Sequence, residues 1–281
     1  MKKNLILLAM TLLALNVTAQ YTDITMRNRP LWVVKPDKTQ NRFVVVSEEP
    51  LPNNLSSYNR MIFKPHVGNV RLTGKASRTE QGDYQATFAL DNPKLVAKMF
   101  RGYNDSEMAP IIVTADFLNT HLPLQFSRWK EGEQKRELTN SRYLNLLKKR
   151  YPEWRIQTTQ WLASIGDERD FYLVVFKPTP RQALASLVCF AQGELVSALD
   201  HPADIQPEDE RTEDGKPMHV WAVCDYGEYS VPEIMAFMAT DKGLEMYVRQ
   251  WGSECYGYTI YRENERGGWD KISQQAVSVL D

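Results

Sequence analysis

The chain has 281 residues, of which 43% are hydrophobic, and its 34 basic and 35 acidic side chains leave a formal net charge of -1. This much apolar material suffices for one large or two modest hydrophobic cores, which excludes an intrinsically disordered chain. The near-zero net charge gives no general electrostatic attraction for nucleic acid or for an anionic membrane, so we predict neither as a partner.

The first nineteen residues have the three parts of a secretory signal peptide. Lys2 and Lys3 form a basic start, residues 5–15 are apolar, and small residues precede a cleavage point after Ala19. The apolar run is shorter than the roughly 20 residues that a membrane-spanning helix needs. We therefore expect an exported protein, periplasmic or extracellular, that is not inserted in the membrane once the signal has been removed.

Residues 20–127 are predicted to form a β-rich subdomain with one helix. Short β-branched and aromatic runs indicate hairpins, and residues 84–90 alternate between apolar and polar side chains as a half-buried strand does. The helix is predicted over residues 93–101, because Asn92 can cap its start and Gly102 can end it.

Residues 128–140 are charged and nearly free of apolar side chains, which predicts a solvated linker. The remaining residues, 141–281, are predicted to form an α+β subdomain. It begins with a helix over residues 141–150, where apolar side chains recur at helical spacing and the last turn is basic. Four strands are predicted to follow between residues 154 and 199, separated by turns that contain glycine.

The junction between this helix and the strands has a short motif, Tyr151 and Pro152 followed by Trp154, and Gly193 lies in a predicted turn. A helix followed by a four-stranded meander with these features resembles the small PepSY-like units of exported bacterial proteins. The resemblance covers residues 141–199. It implies a small fold used for binding or inhibition, and it assigns no catalytic residue.

Residues 218–272 hold a dense set of aromatic side chains and are predicted to form a strand, a helix and two further strands. The helix is predicted because Ser230 and Glu233 match a capping box, apolar residues follow from Ile234, and Gly243 offers a stop. The whole chain is thus predicted to be an α+β protein of mostly antiparallel sheets with about three short helices in two subdomains.

The three cysteines predict one disulfide and one remaining thiol, because an exported protein meets an oxidising compartment. Cys224 and Cys255 are the preferred pair, since both lie in predicted strands that flank one helix. Cys189 is the alternative partner for either of them.

Local motifs for catalysis and for metal binding are absent from the sequence. It contains no G-x-S-x-G, H-E-x-x-H, C-x-x-C or P-loop pattern, and its four histidines are scattered. We therefore nominate no catalytic residue, no metal ligand and no cofactor. Carboxylate pairs and a cysteine–histidine pair stay open, because their members meet only in the folded chain.

A candidate ligand-facing surface lies on one predicted strand, where Tyr247, Arg249 and Trp251 share one parity with Glu245. The predicted function is non-catalytic binding in the bacterial envelope, with another envelope protein, a peptide or a carbohydrate as the partner. Two alternatives stay open: an exported hydrolase whose site is assembled only in the fold, and a structural component of a surface assembly.

Overall fold

A computed structural model gives the fold, and it divides the chain into two units, Met1–Ile62 with Val67–Asn119 and Phe63–His66 with Thr120–Asp281. The predicted signal peptide lies outside the residues that the structure describes. Those residues are 29–104, 108–130, 132–179, 182–205, 219–220, 229–251 and 255–278.

In the part of the first unit that the structure describes, there are seven strands and one short helix. Helix α1 (Lys94–Met99) lies within the predicted span 93–101 and is followed by Gly102 in a left-handed conformation. Single 3-10 turns occur at Leu55–Ser57 and Asp116–Asn119. The strands are β1 (Leu31–Asp37), β2 (Arg42–Ser47), β3 (Tyr58–Phe63), β4 (His66–Leu72), β5 (Ser77–Arg78), β6 (Tyr84–Leu90) and β7 (Ile111–Thr114).

Six of these strands close into an antiparallel barrel in the order β2-β1-β7-β3-β4-β6, because β6 also pairs with β2. The closing seam places Phe43 opposite Phe88, and both side chains are fully buried. Phe100, just after α1, packs its ring 5.4 Å from that of Phe43. Closure leaves these six strands without an open edge, while β5 extends the sheet beside β6.

Among its described residues, the second unit contains one helix and eleven strands in two antiparallel sheets. The six-stranded sheet has the order β14-β13-β12-β11-β10-β9, and the five-stranded sheet has the order β18-β17-β16-β15-β8. Helix α2 spans Ser141–Arg150. The strands are β8 (His121–Pro123), β9 (Ser127–Arg128), β10 (Ile156–Ile165), β11 (Arg169–Phe176), β12 (Ala183–Ala191), β13 (Glu194–Ile205), β14 (His219–Val220), β15 (Glu233–Thr240), β16 (Gly243–Trp251), β17 (Cys255–Glu263) and β18 (Trp269–Ser278).

The two sheets face each other across an apolar core, so the second unit is a β-sandwich. Phe171 on the six-stranded sheet packs its ring 4.6 Å from that of Phe237 on the five-stranded sheet. Phe126 meets Phe237 edge to face at 5.2 Å. Aromatic pairs of this kind add to the burial of apolar area that holds the sheets together.

Helix α2 covers the other face of the six-stranded sheet and begins and ends where the sequence predicts. The side chain of Asn140 caps it by accepting hydrogen bonds from the backbone N–H groups of Arg142 and Tyr143. Leu147 is fully buried in a second apolar cluster, and Tyr143 stacks on Phe190 at 4.0 Å. The four strands predicted after the helix are present as β10 to β13.

The predicted α+β class with about three helices is wrong, since the protein is mostly β with two helices among the described residues. The error comes from residues 230–243, where the predicted helix is strand β15. A bulge after Ile234 inserts one residue, so Ile234 and Phe237 lie on the same face although they are three apart. That spacing imitates a helix, and the apolar side chains on both faces of β15 conceal the alternation of a strand.

Gly243 is a hairpin residue and not a helix stop. It pairs with Thr240 at the turn from β15 to β16 and has a φ of 123°, a conformation that favours glycine. A Cβ atom there would lie 2.9 Å from the carbonyl oxygen of Glu263, which is closer than such atoms normally approach.

The charged segment 128–140 belongs to the second unit. Arg128 lies in β9 and is buried, and so is Leu138. The backbone N–H of Leu138 donates to the Thr159 hydroxyl on β10, with 2.9 Å between the nitrogen and the oxygen. Both ends of the segment therefore contact the sandwich.

Candidate functional site: a cleft beside strand β10

A cleft of about 470 Å³ opens in the second unit beside strand β10, and we name it the β10 cleft. Its walls come from β10, β11, the first residue of β12 and the segment that precedes β15. The rim carries two exposed side chains of opposite charge, Lys135 and Glu137. The volume lies in the range of pockets that hold small ligands.

The strand register explains why this cleft has an apolar wall. Thr158 lies opposite Val175 and Gln160 lies opposite Leu173, so all four side chains project from the same face of the six-stranded sheet. Leu173 belongs to the sandwich core, and Val175 packs against it. Since Val231 packs against the same core from the other side, the cleft is an open end of the sandwich interior.

Gln160 is a buried polar residue of this wall. Its side chain lines the cleft and the residue is only 4% exposed. The side-chain nitrogen Nε2 is buried and has no hydrogen-bond partner among the described residues. A buried donor left without a partner costs about 1–3 kcal/mol, and most such groups in folded proteins are paired.

The side chain of Thr159, next to Gln160 in the chain, has a hydrogen-bond partner, as most buried polar groups do. Thr159 points to the opposite face of the sheet, where its hydroxyl accepts the hydrogen bond from Leu138. Thr159 thus has a hydrogen-bond partner, whereas the Gln160 side-chain nitrogen has none among the described residues.

Tyr229 stands at the other wall of the cleft and is held by His201 on β13. Burial raises the pKa of the Tyr229 hydroxyl, which therefore stays protonated at neutral pH. Burial also lowers the pKa of His201 to about 4, although the nearby carboxylate of Asp200 opposes that shift. The imidazole is thus neutral, and its Nδ1 is hydrogen-bonded to the tyrosine hydroxyl.

The residues of the surface predicted on β16 differ in their exposure to solvent. Tyr247 and Arg249 are buried, whereas Trp251 is 40% exposed. The guanidinium of Arg249 contacts the carboxylate of Glu233 at 2.9 Å. Trp251 instead packs its ring 3.7 Å from that of Tyr256, so only the tryptophan end of the predicted surface faces solvent.

Glu245, which shares this parity, is a buried carboxylate with several donors around it. Nε and Nη2 of Arg262 donate to it at 3.0 and 2.6 Å, and the Tyr247 hydroxyl donates at 3.0 Å. His121 Nε2 lies 3.4 Å away. Burial alone would raise the pKa of Glu245, but the hydrogen bonds from His121 and Arg262 outweigh it and hold the pKa below its usual value.

The preferred disulfide cannot be located in the structure. Cys224 and the side chain of Cys255 lie outside the described residues, so their pairing stays a prediction. Cys189 is a free, fully buried thiol in the sandwich core. Burial raises its pKa to about 12, so this thiol is not ionised at neutral pH and is a poor nucleophile.

Sequence reasoning missed the β10 cleft, because its walls come from segments far apart in the chain. One signal was present. Gln160 shares the inward face of β10 with Leu162, and an amide on the face that packs against the core calls for a partner. Nothing in the sequence places residues 229–231 against that strand.

No group of three or more histidine, cysteine or acidic residues in the described parts of the chain is placed to hold a metal ion. Within the same parts, no helix has the length and apolar character needed to cross a membrane. A scan against protein-family models, a search of curated proteins and a search of solved structures each find no match to this chain. The PepSY-like resemblance of residues 141–199 therefore stays a prediction.

Proposed function

We propose that this protein is an exported, non-catalytic binding protein whose ligand occupies the β10 cleft. One observation carries the proposal: a cleft of ligand size, about 470 Å³, is lined by aliphatic side chains that pack in the sandwich core and by the buried polar residue Gln160. Binding sites of this kind combine a mostly apolar surface with a few polar groups that orient the ligand. Export rests on the signal-like residues 1–19.

The chemistry of the cleft wall favours binding over a reaction. Its titratable side chains are Lys135 and Glu137 at the exposed rim and Tyr229, whose hydroxyl is bonded to His201. A hydrolase needs a nucleophile beside a base, or a pair of acids across the scissile bond. The cleft offers instead aliphatic contact together with polar side chains such as Gln157 and Thr158, which suit recognition.

A neutral dye that fluoresces in apolar surroundings, N-phenyl-1-naphthylamine, tests the proposal. We expect saturable binding to the purified full-length protein. Thr158→Trp should weaken that binding at least about tenfold, because the exposed Thr158 lines the cleft and an indole there would fill it. The measurement is a fluorescence titration of each protein.

Ser127→Trp is the matched control, since Ser127 is an exposed residue of the same sheet that does not line the cleft. Its affinity for the dye should equal that of the unmodified protein. Equal affinities of the Thr158 and Ser127 variants, or no saturable binding at all, would contradict the proposal.

A further inference from the structure

A second cleft lies in the first unit, on the outer face of the barrel, and we name it the barrel groove. It has a volume of about 490 Å³ and crosses strands β2, β6 and β4. Arg42, Arg71 and Lys75 line it, and no aspartate or glutamate among the described residues contributes to the lining. The wall of the groove therefore carries three positive charges and no negative one.

The strand register places the two arginines on either side of β6. Phe88 of β6 is buried in the barrel core, so Ala89, the next residue, lies on the outer face. Arg71 on β4 lies opposite Ala89. Arg42 on β2 belongs to the same row, because its neighbour Phe43 lies opposite Phe88. The Cα atoms of the two arginines are thus two strand spacings apart, about 10 Å, with the short side chain of Ala89 between them.

The three cations of the barrel groove are exposed, and none of them forms an ion pair with a described residue. Other arginines of the chain, such as Arg142 and Arg169, are paired with glutamates. The chain as a whole has a net charge of -1, so the positive charge of the groove is a local feature. A cleft whose walls carry one sign of charge attracts ligands of the opposite sign.

Two aspartates lie beside the barrel groove without lining it. Asp37 is opposite Arg42 on β1, and its carboxylate accepts a hydrogen bond from the backbone N–H of Gln40. Asp91 follows the end of β6, two residues after Ala89. Neither side chain takes part in the lining, so a ligand in the groove meets the cations directly.

The rest of the lining favours a polar ligand. Thr73, Ser77, Gln85 and Thr87 contribute hydroxyl and amide side chains. The apolar residues of the lining are buried, so they offer a ligand little apolar surface; they are Ala86, Phe88 and Ala89. An apolar ligand would therefore gain little in the groove, whereas an anion gains both charge and hydrogen-bonding groups.

We propose that the barrel groove binds a small polyanion whose anionic groups pair with Arg42, Arg71 and Lys75. A guanidinium group presents parallel N–H donors that match the oxygens of phosphate, sulfate or carboxylate groups. A ligand with several such groups contacts the three cations at once and gains more from them than a single anion does. The site lies in the first unit, so it goes beyond the proposed function of the β10 cleft and does not depend on it.

Calorimetric titration of the full-length protein with tripolyphosphate, sucrose octasulfate and citrate tests this proposal, because the three probes carry phosphate, sulfate and carboxylate groups. We expect at least one of them to bind with a stoichiometry of one, at least about tenfold more tightly than orthophosphate. The tightest probe identifies the chemistry of the anionic groups. Raising the NaCl concentration from about 50 to about 300 mM should weaken its binding, because salt screens exposed charges.

Arg71→Gln removes one of the three charges and should weaken binding of the tightest probe about fivefold. The matched control is Arg101→Gln, since Arg101 is an exposed arginine of the first unit that does not line the barrel groove. This variant has the same net charge and should keep the affinity of the unmodified protein. No saturable binding of any of the three probes, or equal affinities of the two variants, would overturn the proposal.

A measurement on the unmodified protein keeps the test independent of how the variants fold. The backbone amide resonance of Ala89 should shift in a saturable way when the tightest probe is added, and that of Ala163, in the core of the second unit, should not. An Ala89 resonance that stays in place would overturn the barrel groove as the site. The dye titrations of the β10 cleft are unaffected by either result.

Discussion

Glu245 is a residue whose partners fix its charge state. Its side chain is 2% exposed, yet its pKa is held below the ordinary 4.5 because Arg262 and His121 supply hydrogen bonds to the carboxylate. A buried charge that loses such partners is strongly destabilising. A carboxylic acid with a lowered folded pKa stabilises the fold above its unfolded pKa, and that stabilisation is lost as the pH falls through the folded value.

Glu245→Gln should therefore lower the free energy of unfolding at pH 7 by about 3 kcal/mol. It should also remove part of the loss of stability that the unmodified protein shows below about pH 4.5, the ordinary carboxyl value. Denaturant unfolding at several pH values measures both effects. The control is Glu194→Gln, which removes an ion pair with Arg142 whose two side chains are 61% exposed and should cost less than about 1 kcal/mol.

His201 predicts a second, separate pH dependence. Its pKa falls from 6.5 to about 4 on folding because it is buried against Tyr229, so between these values the unfolded chain binds a proton that the folded chain does not. Stability is therefore full above about pH 6.5 and declines as the pH falls toward 4. The shift sets an upper limit of about 3 kcal/mol on this decline.

His201→Gln should flatten the pH dependence of stability between pH 6.5 and 4, since glutamine keeps a polar partner for Tyr229 and does not titrate. Unfolding midpoints in denaturant across this range give the slope. His66→Gln, at an exposed histidine, should leave the slope as it is. An unchanged slope in the His201 variant would show that this side chain is not buried in its neutral form.

Strand β15 is an element whose type a sequence pattern alone does not predict. The strands with one apolar and one polar face, such as β6, are predicted correctly from alternation, and so is helix α2 from its period and its basic end. In β15 a bulge changes the spacing of Ile234 and Phe237 to three. No local signal distinguishes that spacing from a helix, because the partner strands β8 and β16 decide the conformation.

Phe237 carries much of the packing that β15 contributes, since it contacts the rings of Phe126 and Phe171 in the core. Phe237→Ala should lower the free energy of unfolding by about 3–5 kcal/mol, as the side chain is 1% exposed and leaves a cavity. Leu122→Ala is the control, because Leu122 lies in the neighbouring strand β8 and is 65% exposed, and it should cost less than about 0.5 kcal/mol. A loss below 1 kcal/mol for Phe237 would contradict this placement.

At the scale of the whole chain, the order of the strands is predictable only where neighbours in sequence are neighbours in the sheet. The meander β10 to β13 follows this rule and was predicted. The barrel does not, because its seam joins β2 to β6 and its β7 lies between β1 and β3. Pairings between such distant segments depend on tertiary packing, which a local pattern does not record.

The β10 cleft was not predicted, because the segments that form its walls are far apart in the sequence and meet only through tertiary packing. The inward position of Gln160 was readable in the sequence, but the wall that faces it comes from Tyr229 and Val231, about seventy residues later. The predicted surface on β16 failed to give a single exposed face because Tyr247 and Arg249 are buried. Alternation assigns side chains to two faces of a strand, and burial of both faces is a property of the fold.

The most direct test of ligand binding in the β10 cleft is a methyl NMR titration of the full-length protein with N-phenyl-1-naphthylamine. Saturable shifts should appear at the methyl groups of Leu173, Val175, Ala183 and Val231, which line the cleft, and should be absent at Val45, which is buried in the first unit. The same titration of Thr158→Trp should lose those shifts. Cleft methyl resonances that do not move, or that move equally in the variant, would contradict a binding site there.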